Sequence, residues 1–121
     1  MNNHVKKFWQ LCSKATSAWN ENGDTHYYEP FLLAILTYVK SLPGFESDFK
    51  SCFLKLLNEP NLGIWEIVAF SMRELKWPEV RAEAEKILAQ DNDYRVKQVM
   101  QDILDVYEEE WDDADMWQYY S

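Results

Sequence analysis

The sequence predicts an all-α protein in which five or six antiparallel helices form a single domain over residues 1–121. Hydrophobic residues make up 47% of the 121 residues, which is enough for one buried core. The three glycines and four prolines lie where helices would begin or end. Between these positions, apolar residues recur at steps of three and four, the spacing of one helix face. No stretch alternates with period two for long enough to predict a strand.

Six apolar stripes define the predicted helices, in order 4–19, 30–42, 45–58, 62–76, 79–90 and 93–110. The second helix is expected to begin at Pro30, since the first turn of a helix tolerates proline. The large apolar side chains of these stripes are expected to form the core: Phe8, Trp9, Leu33 or Leu36, Phe53, Leu56, Ile67, Val68, Leu75, Ile87, Ile103 and Leu104.

The last two predicted helices align with each other after a shift of 16 residues. Val80-Arg81 then matches Val96-Lys97, and Asp91 and Asp93 precede the second copy, where an aspartate can cap a helix. A spacing of 16 residues suits one helix and a tight turn in a helical repeat. Amphipathic helices also share such a pattern by construction, so a repeat and a coincidence both remain open.

The stretches Pro78-Glu79-Val80-Arg81 and Asp91-Asn92-Asp93-Tyr94-Arg95-Val96-Lys97 resemble the Asp…Val-Arg signature that opens helices in HEAT-like repeats. This resemblance covers residues 62–121 and implies a HEAT-like C-terminal half in which the valines enter the core. The small, acidic, Trp-rich chain also resembles the immunity proteins of bacterial contact-dependent growth inhibition systems. That resemblance implies a non-enzymatic protein that binds and neutralises a cognate toxin.

The sequence offers little that an active site or cofactor site requires. His4 and His26 are the two histidines, and no phosphate-binding loop, nucleophile elbow or metal-binding motif is present. Cys12 and Cys52 stand 40 residues apart and are expected to be free thiols. We therefore expect no catalytic residues, no metal and no cofactor.

Nucleic acid and membrane are both expected to be absent from the partners of this chain. The formal charge of −9 disfavours phosphate binding, which needs an excess of Lys and Arg. The longest apolar stretch, 31–39, is too short to span a bilayer, and the N-terminus lacks the apolar run of a signal peptide. These features predict a cytoplasmic protein.

The acidic and aromatic C-terminal segment, residues 108–121, is the sharpest functional signal. Residues 1–97 carry thirteen acidic and twelve basic side chains, whereas eight carboxylates follow Lys97 with no further Lys or Arg. Aromatic residues lie among these acids, a combination typical of protein-binding surfaces. The predicted partner-binding residues of the segment are Glu108, Glu109, Asp112, Asp113, Asp115, Trp117, Tyr119 and Tyr120.

Two other interpretations stay open. The acidic run could be a solvated tail that keeps the protein soluble, although glutamates at 108–110 would oppose the dipole of a helix ending there. A second candidate surface, the loop residues Asp24, His26, Tyr27, Tyr28 and Glu29, is more simply explained as the start of the second helix.

A dense carboxylate cluster attracts a strongly basic protein, and the substrate grooves of nucleases are basic. Together with the resemblance to immunity proteins, which implies a toxin as the partner, this charge predicts a basic protein toxin with a nuclease-type C-terminal domain. The alternative is that the chain is a helical-repeat adaptor for another cytoplasmic protein.

Overall fold

The computed structural model describes residues 3–59 and 62–108, which form an all-α fold with no strand in this part of the chain. The six described helices are α1 (Asn3–Glu21), α2 (Thr25–Lys40), α3 (Glu46–Asn58), α4 (Glu66–Leu75), α5 (Pro78–Gln90) and α6 (Tyr94–Glu108). A short 3₁₀ turn at Pro43–Phe45 leads into α3. The prediction of an all-α fold is confirmed.

Helix α2 begins five residues earlier than predicted, so the placement of Pro30 in its first turn was wrong. Asp24 has extended backbone and caps the helix, because its carboxylate accepts a hydrogen bond from the His26 N–H at 2.8 Å. Pro30 therefore lies inside α2. Its nitrogen carries no hydrogen, so one backbone hydrogen bond of the helix is missing there.

Helix α4 begins at Glu66 rather than at 62, because the preceding residues make a close turn against α1. The Ile64 N–H donates to the Thr16 hydroxyl at 3.2 Å. At Gly63, a Cβ would lie 3.1 Å from side-chain carbons of both Leu56 and Ile67, so any larger residue would require these side chains to shift. At its other end, α4 stops at Lys76, whose positive φ of 48° turns the chain toward α5.

The core is continuous through all six helices. Phe8, Phe49 and Phe53 are fully buried, and the Phe53 ring meets both Phe8 and Trp77 edge to face, with centroid distances of 5.3 and 5.7 Å. Helices pack as the pairs α1–α2, α2–α4, α3–α5, α4–α6 and α5–α6. This arrangement places the ends of α1, α3 and α5 beside the starts of α4 and α6.

Most predicted core residues are buried. Those buried in the structure are Phe8, Leu36, Phe53, Leu56, Ile67, Val68 and Ile103. Those only partly buried at its margin are Trp9, Leu75, Ile87 and Leu104. Of the two alternatives on α2, Leu33 is 53% exposed and Leu36 is in the core.

Cys12 and Cys52 are free thiols, as predicted, and both are buried. Burial raises the pKa of both thiols, that of Cys52 to about 11. None of the described helices combines the length and apolar character needed to cross a membrane.

Candidate interaction surfaces

The described residues include only the first residue of the predicted partner-binding set, Glu108. The remaining members lie outside the described residues: Glu109, Asp112, Asp113, Asp115, Trp117, Tyr119 and Tyr120. The structure therefore describes the start of the C-terminal segment and the helix that leads into it.

Two cations from other parts of the chain lie at the C-terminal end of α6. Lys76 donates a hydrogen bond to the Val106 carbonyl at 2.9 Å, and Arg81 donates to the Glu108 carboxylate at 3.1 Å. Both cations also lie over the Tyr107 ring, 5.9 and 5.7 Å from its centroid. They supply the positive charge that the end of a helix dipole favours.

This finding corrects the expectation that the charge of Glu108 simply opposes the helix dipole. Arg81 is 27 residues away in sequence and reaches Glu108 only because α5 packs against α6. Helix α6 itself has no basic residue in its last turn, so its sequence alone could not reveal the compensation.

Three carboxylates on the second half of α6 form what we call the acidic face: Asp105 and Glu108 are exposed, and Asp102 is half-buried. Asp102 accepts a hydrogen bond from Gln98 at 3.1 Å, and Asp105 accepts one from Gln101 at 3.0 Å. Within residues 3–59 and 62–108, neither aspartate makes an ion pair, so these hydrogen bonds orient the carboxylates and leave their charges uncompensated.

The second candidate surface, residues 24–29, forms the cap and first turns of α2. Asp24 is the N-cap, Tyr28 is buried, and the Tyr27 hydroxyl donates to Glu21 at 3.0 Å. That hydrogen bond raises the pKa of Tyr27. His26 and Glu29 remain exposed, so the structure gives most of this group a local structural role.

An apolar cleft of about 560 Å³ opens where the ends of α1, α3 and α5 meet the starts of α4 and α6. We call it the Trp19–Trp65 cleft, after the two indoles that line it; Trp19 is 38% exposed. Its other apolar walls include Ile64, Ile87, Val96 and Val99. Sequence reasoning missed this cleft, because its lining residues come from segments up to 81 positions apart, from 19 to 100.

Charged residues also line the Trp19–Trp65 cleft. Glu66 is half-buried in the first turn of α4, and desolvation raises the pKa of its carboxyl group. Asp91 accepts a hydrogen bond from the Asp93 N–H at 2.8 Å, and Arg95 is exposed. With two acids and one base, the cleft carries a net negative charge.

His4, one of two histidines, contributes to packing between α1 and α3. It contacts Asp48 at 2.6 Å and stacks on Phe45 with a centroid distance of 3.9 Å. Within the part of the chain that the structure describes, no three His, Cys, Asp or Glu side chains come together in a way that could hold a metal ion.

Comparison of the chain with models of protein families, with curated proteins and with solved structures gives no match. The functions of the acidic face and the Trp19–Trp65 cleft therefore have to be inferred from the charge, burial and shape of their residues.

Proposed function

We propose that this chain is an immunity protein that binds a basic protein toxin and neutralises it by covering the active face of a nuclease-type domain. The observation that supports this most is the distribution of charge. Eight of the 21 carboxylates follow Lys97, and no basic residue lies among them. The body of the protein before that point is close to neutral.

Three of these eight carboxylates, Asp102, Asp105 and Glu108, lie in α6 within the described residues. Asp102 and Asp105 have uncharged hydrogen-bond partners, Gln98 and Gln101, and Asp105 is exposed. From 102 to 108 the helix rises about 9 Å, which is comparable to the Debye length of about 8 Å at physiological ionic strength. Within this length, the charges of Asp102 and Asp105 act together on an approaching partner, whereas Arg81 partly compensates the charge of Glu108.

A nuclease is a suitable partner because its substrate groove must be positively charged to hold nucleic acid. An acidic protein is attracted to the same groove, which accelerates encounter and excludes the substrate. In this proposal the carboxylates determine the association rate and the choice of partner, and aromatic side chains stabilise the complex once it has formed. The aromatic residues proposed for that role are Trp117, Tyr119 and Tyr120.

Co-expression with the product of a neighbouring toxin gene tests the proposal. An immunity gene should lie directly beside a large toxin gene, and we expect this chain to co-purify with the C-terminal domain of that toxin. We also expect it to restore growth of cells that produce the domain. A chain that neither binds the domain nor protects the cells would contradict the proposal. Co-purification with a different cytoplasmic protein would favour the adaptor alternative.

Two charge variants distinguish attraction of the toxin by the acidic face from a general effect of the protein's net charge. The test variant carries Asp102→Asn and Asp105→Asn, and the matched control carries Glu29→Gln and Glu59→Gln, two exposed acids outside α6. Both variants lose two negative charges. We expect weaker protection from the first only, and equal protection by both variants would argue against the acidic face.

A further inference from the structure

The Trp19–Trp65 cleft has the size and character of a binding site. Its volume of about 560 Å³ falls within the range of roughly 300–1,000 Å³ typical of ligand pockets. Two indoles and several aliphatic side chains line it, and Trp19 is 38% exposed although tryptophan favours burial. The cleft therefore has room and apolar surface for the side chains of a bound segment.

The charge of the cleft indicates what kind of segment would fit. Glu66 is half-buried, and among the described residues no cation pairs with it. Its carboxylate accepts a hydrogen bond from its own backbone N–H but gains no cation, so a cation brought by a ligand would offset part of the cost of its lost hydration. Trp19 and Trp65 line the same cleft, and the faces of indole rings attract cations. Arg95 at the rim works against this attraction, but it is exposed and therefore well solvated.

The cleft and the acidic face lie on the same helix, α6. Val96, Val99 and Met100 in the first half of α6 line the cleft, and the acidic face lies on the second half of the same helix. The 15 residues of α6 span about 22 Å. At 3.6 residues per turn, Asp105 lies half a turn around α6 from Val96, so the cleft and the acidic face are on different sides of this helix.

We propose that the Trp19–Trp65 cleft receives a segment of the partner protein that carries an apolar side chain next to a lysine or arginine. The apolar side chain packs between the indoles, and the cation pairs with Glu66. The identity of this partner as a toxin rests on the proposed function. The chemistry of the segment rests on the cleft alone.

A short peptide tests the cleft without the toxin. The probe is acetyl-Leu-Lys-Phe-amide, and its control is the same peptide with Glu in place of Lys. Nuclear magnetic resonance of the labelled protein would follow the indole N–H signals of Trp19 and Trp65. We expect both signals to shift with the lysine peptide, and at least fivefold weaker binding of the control. Glu66→Gln should reduce that difference between the peptides, and Glu59→Gln, at an exposed site outside the cleft, should not.

The complex with the toxin domain gives the second measurement. Trp19→Ala should increase the dissociation rate about tenfold, because anchoring side chains act mainly on dissociation. Leu33→Ala, which removes an exposed apolar side chain from α2, is the matched control and should leave the rate unchanged. Thermal melting of each variant alone would establish that it folds.

The possible results separate the two proposals. Toxin binding that is insensitive to Trp19→Ala and Glu66→Gln, with no indole shift by the lysine peptide, would overturn the cleft proposal and leave the proposed function standing. Lysine-selective indole shifts without any toxin binding would support the cleft and contradict the proposed function.

Discussion

The hydroxyl of Tyr107 holds the end of α6 against the start of α5, and removing it should weaken that attachment. This hydroxyl donates a hydrogen bond to the Trp77 carbonyl at 3.0 Å, and Tyr107 is only 9% exposed. Burial raises the pKa of Tyr107, so the donor stays protonated at neutral pH. The substitution Tyr107→Phe deletes this donor and keeps the ring beneath Lys76 and Arg81.

The size of the loss in stability depends on the hydrogen bonds that the Trp77 carbonyl still accepts in the variant. The Trp77 carbonyl also accepts from the backbone N–H groups of Val80 and Arg81 at 3.2 and 3.3 Å. This carbonyl therefore keeps two hydrogen bonds in the variant. Tyr107→Phe loses the net contribution of one hydrogen bond to the free energy of unfolding, and it leaves no buried polar group without a partner. That contribution is about 1 kcal/mol. For a domain of this size, it corresponds to a decrease in Tm of roughly 3–6 °C.

Thermal unfolding followed by circular dichroism measures this change. Tyr94→Phe is the matched control, because Tyr94 lies on the same helix and is 78% exposed. We expect no change in Tm for the control. Equal melting temperatures for Tyr107→Phe and the wild type would refute the argument that this hydrogen bond secures α6.

Three further predictions concern stability and thiol reactivity. Asp93→Ala removes the carboxylate that accepts from the Arg95 N–H at 2.8 Å, and should lower the free energy of unfolding by about 1 kcal/mol in urea titrations. Ser71→Ala should be neutral or stabilising by up to about 1 kcal/mol in the same assay, because the buried Ser71 hydroxyl has no hydrogen-bond partner among the described residues. A thiol reagent at pH 8 should modify Cys12 and Cys52 slowly in the native protein and quickly in urea, and rapid native modification would contradict their burial.

The raised thiol pKa values also predict how stability depends on pH. Between the ordinary thiol pKa of 9.0 and the value of about 11 for Cys52, the unfolded chain releases a proton that the folded chain retains. The folded state then binds more protons than the unfolded state, so the free energy of unfolding falls as pH rises above 9.0. Urea titrations from pH 8 to 10.5 would show this fall, and Cys52→Ala should make it shallower.

The fold class was predictable because apolar periodicity and helix-breaking residues are local signals. The predicted cap at Asp93 is confirmed for the same reason, since Asp and the N–H it accepts from lie two residues apart. The start of α2 was missed because Pro30 was given more weight than the Asp24 cap six residues before it. Periodicity alone could not decide whether Leu33 or Leu36 is buried in the core, because both belong to an apolar run on α2.

The interaction surfaces were less predictable, because they depend on packing between distant segments. The excess of acids after Lys97 is visible in the sequence, but the approach of Lys76 and Arg81 to the end of α6 is not. The Trp19–Trp65 cleft likewise requires five helices to be in place. The HEAT-like relation between α5 and α6 and the resemblance to immunity proteins stay predictions.

The association rate with the toxin domain, measured at several salt concentrations, tests the central claim most directly. Stopped-flow mixing between about 0.01 and 0.15 M ionic strength spans Debye lengths from about 30 to 8 Å. We expect the rate to fall at least about tenfold across this range. Neutralisation of the acidic residues of α6 and the C-terminal segment should lower the rate and flatten its salt dependence; these residues are Asp102, Asp105, Glu108, Glu109, Asp112, Asp113 and Asp115. Equal rates and equal salt dependence for the wild type and the neutralised protein would contradict the claim that these carboxylates recognise the toxin.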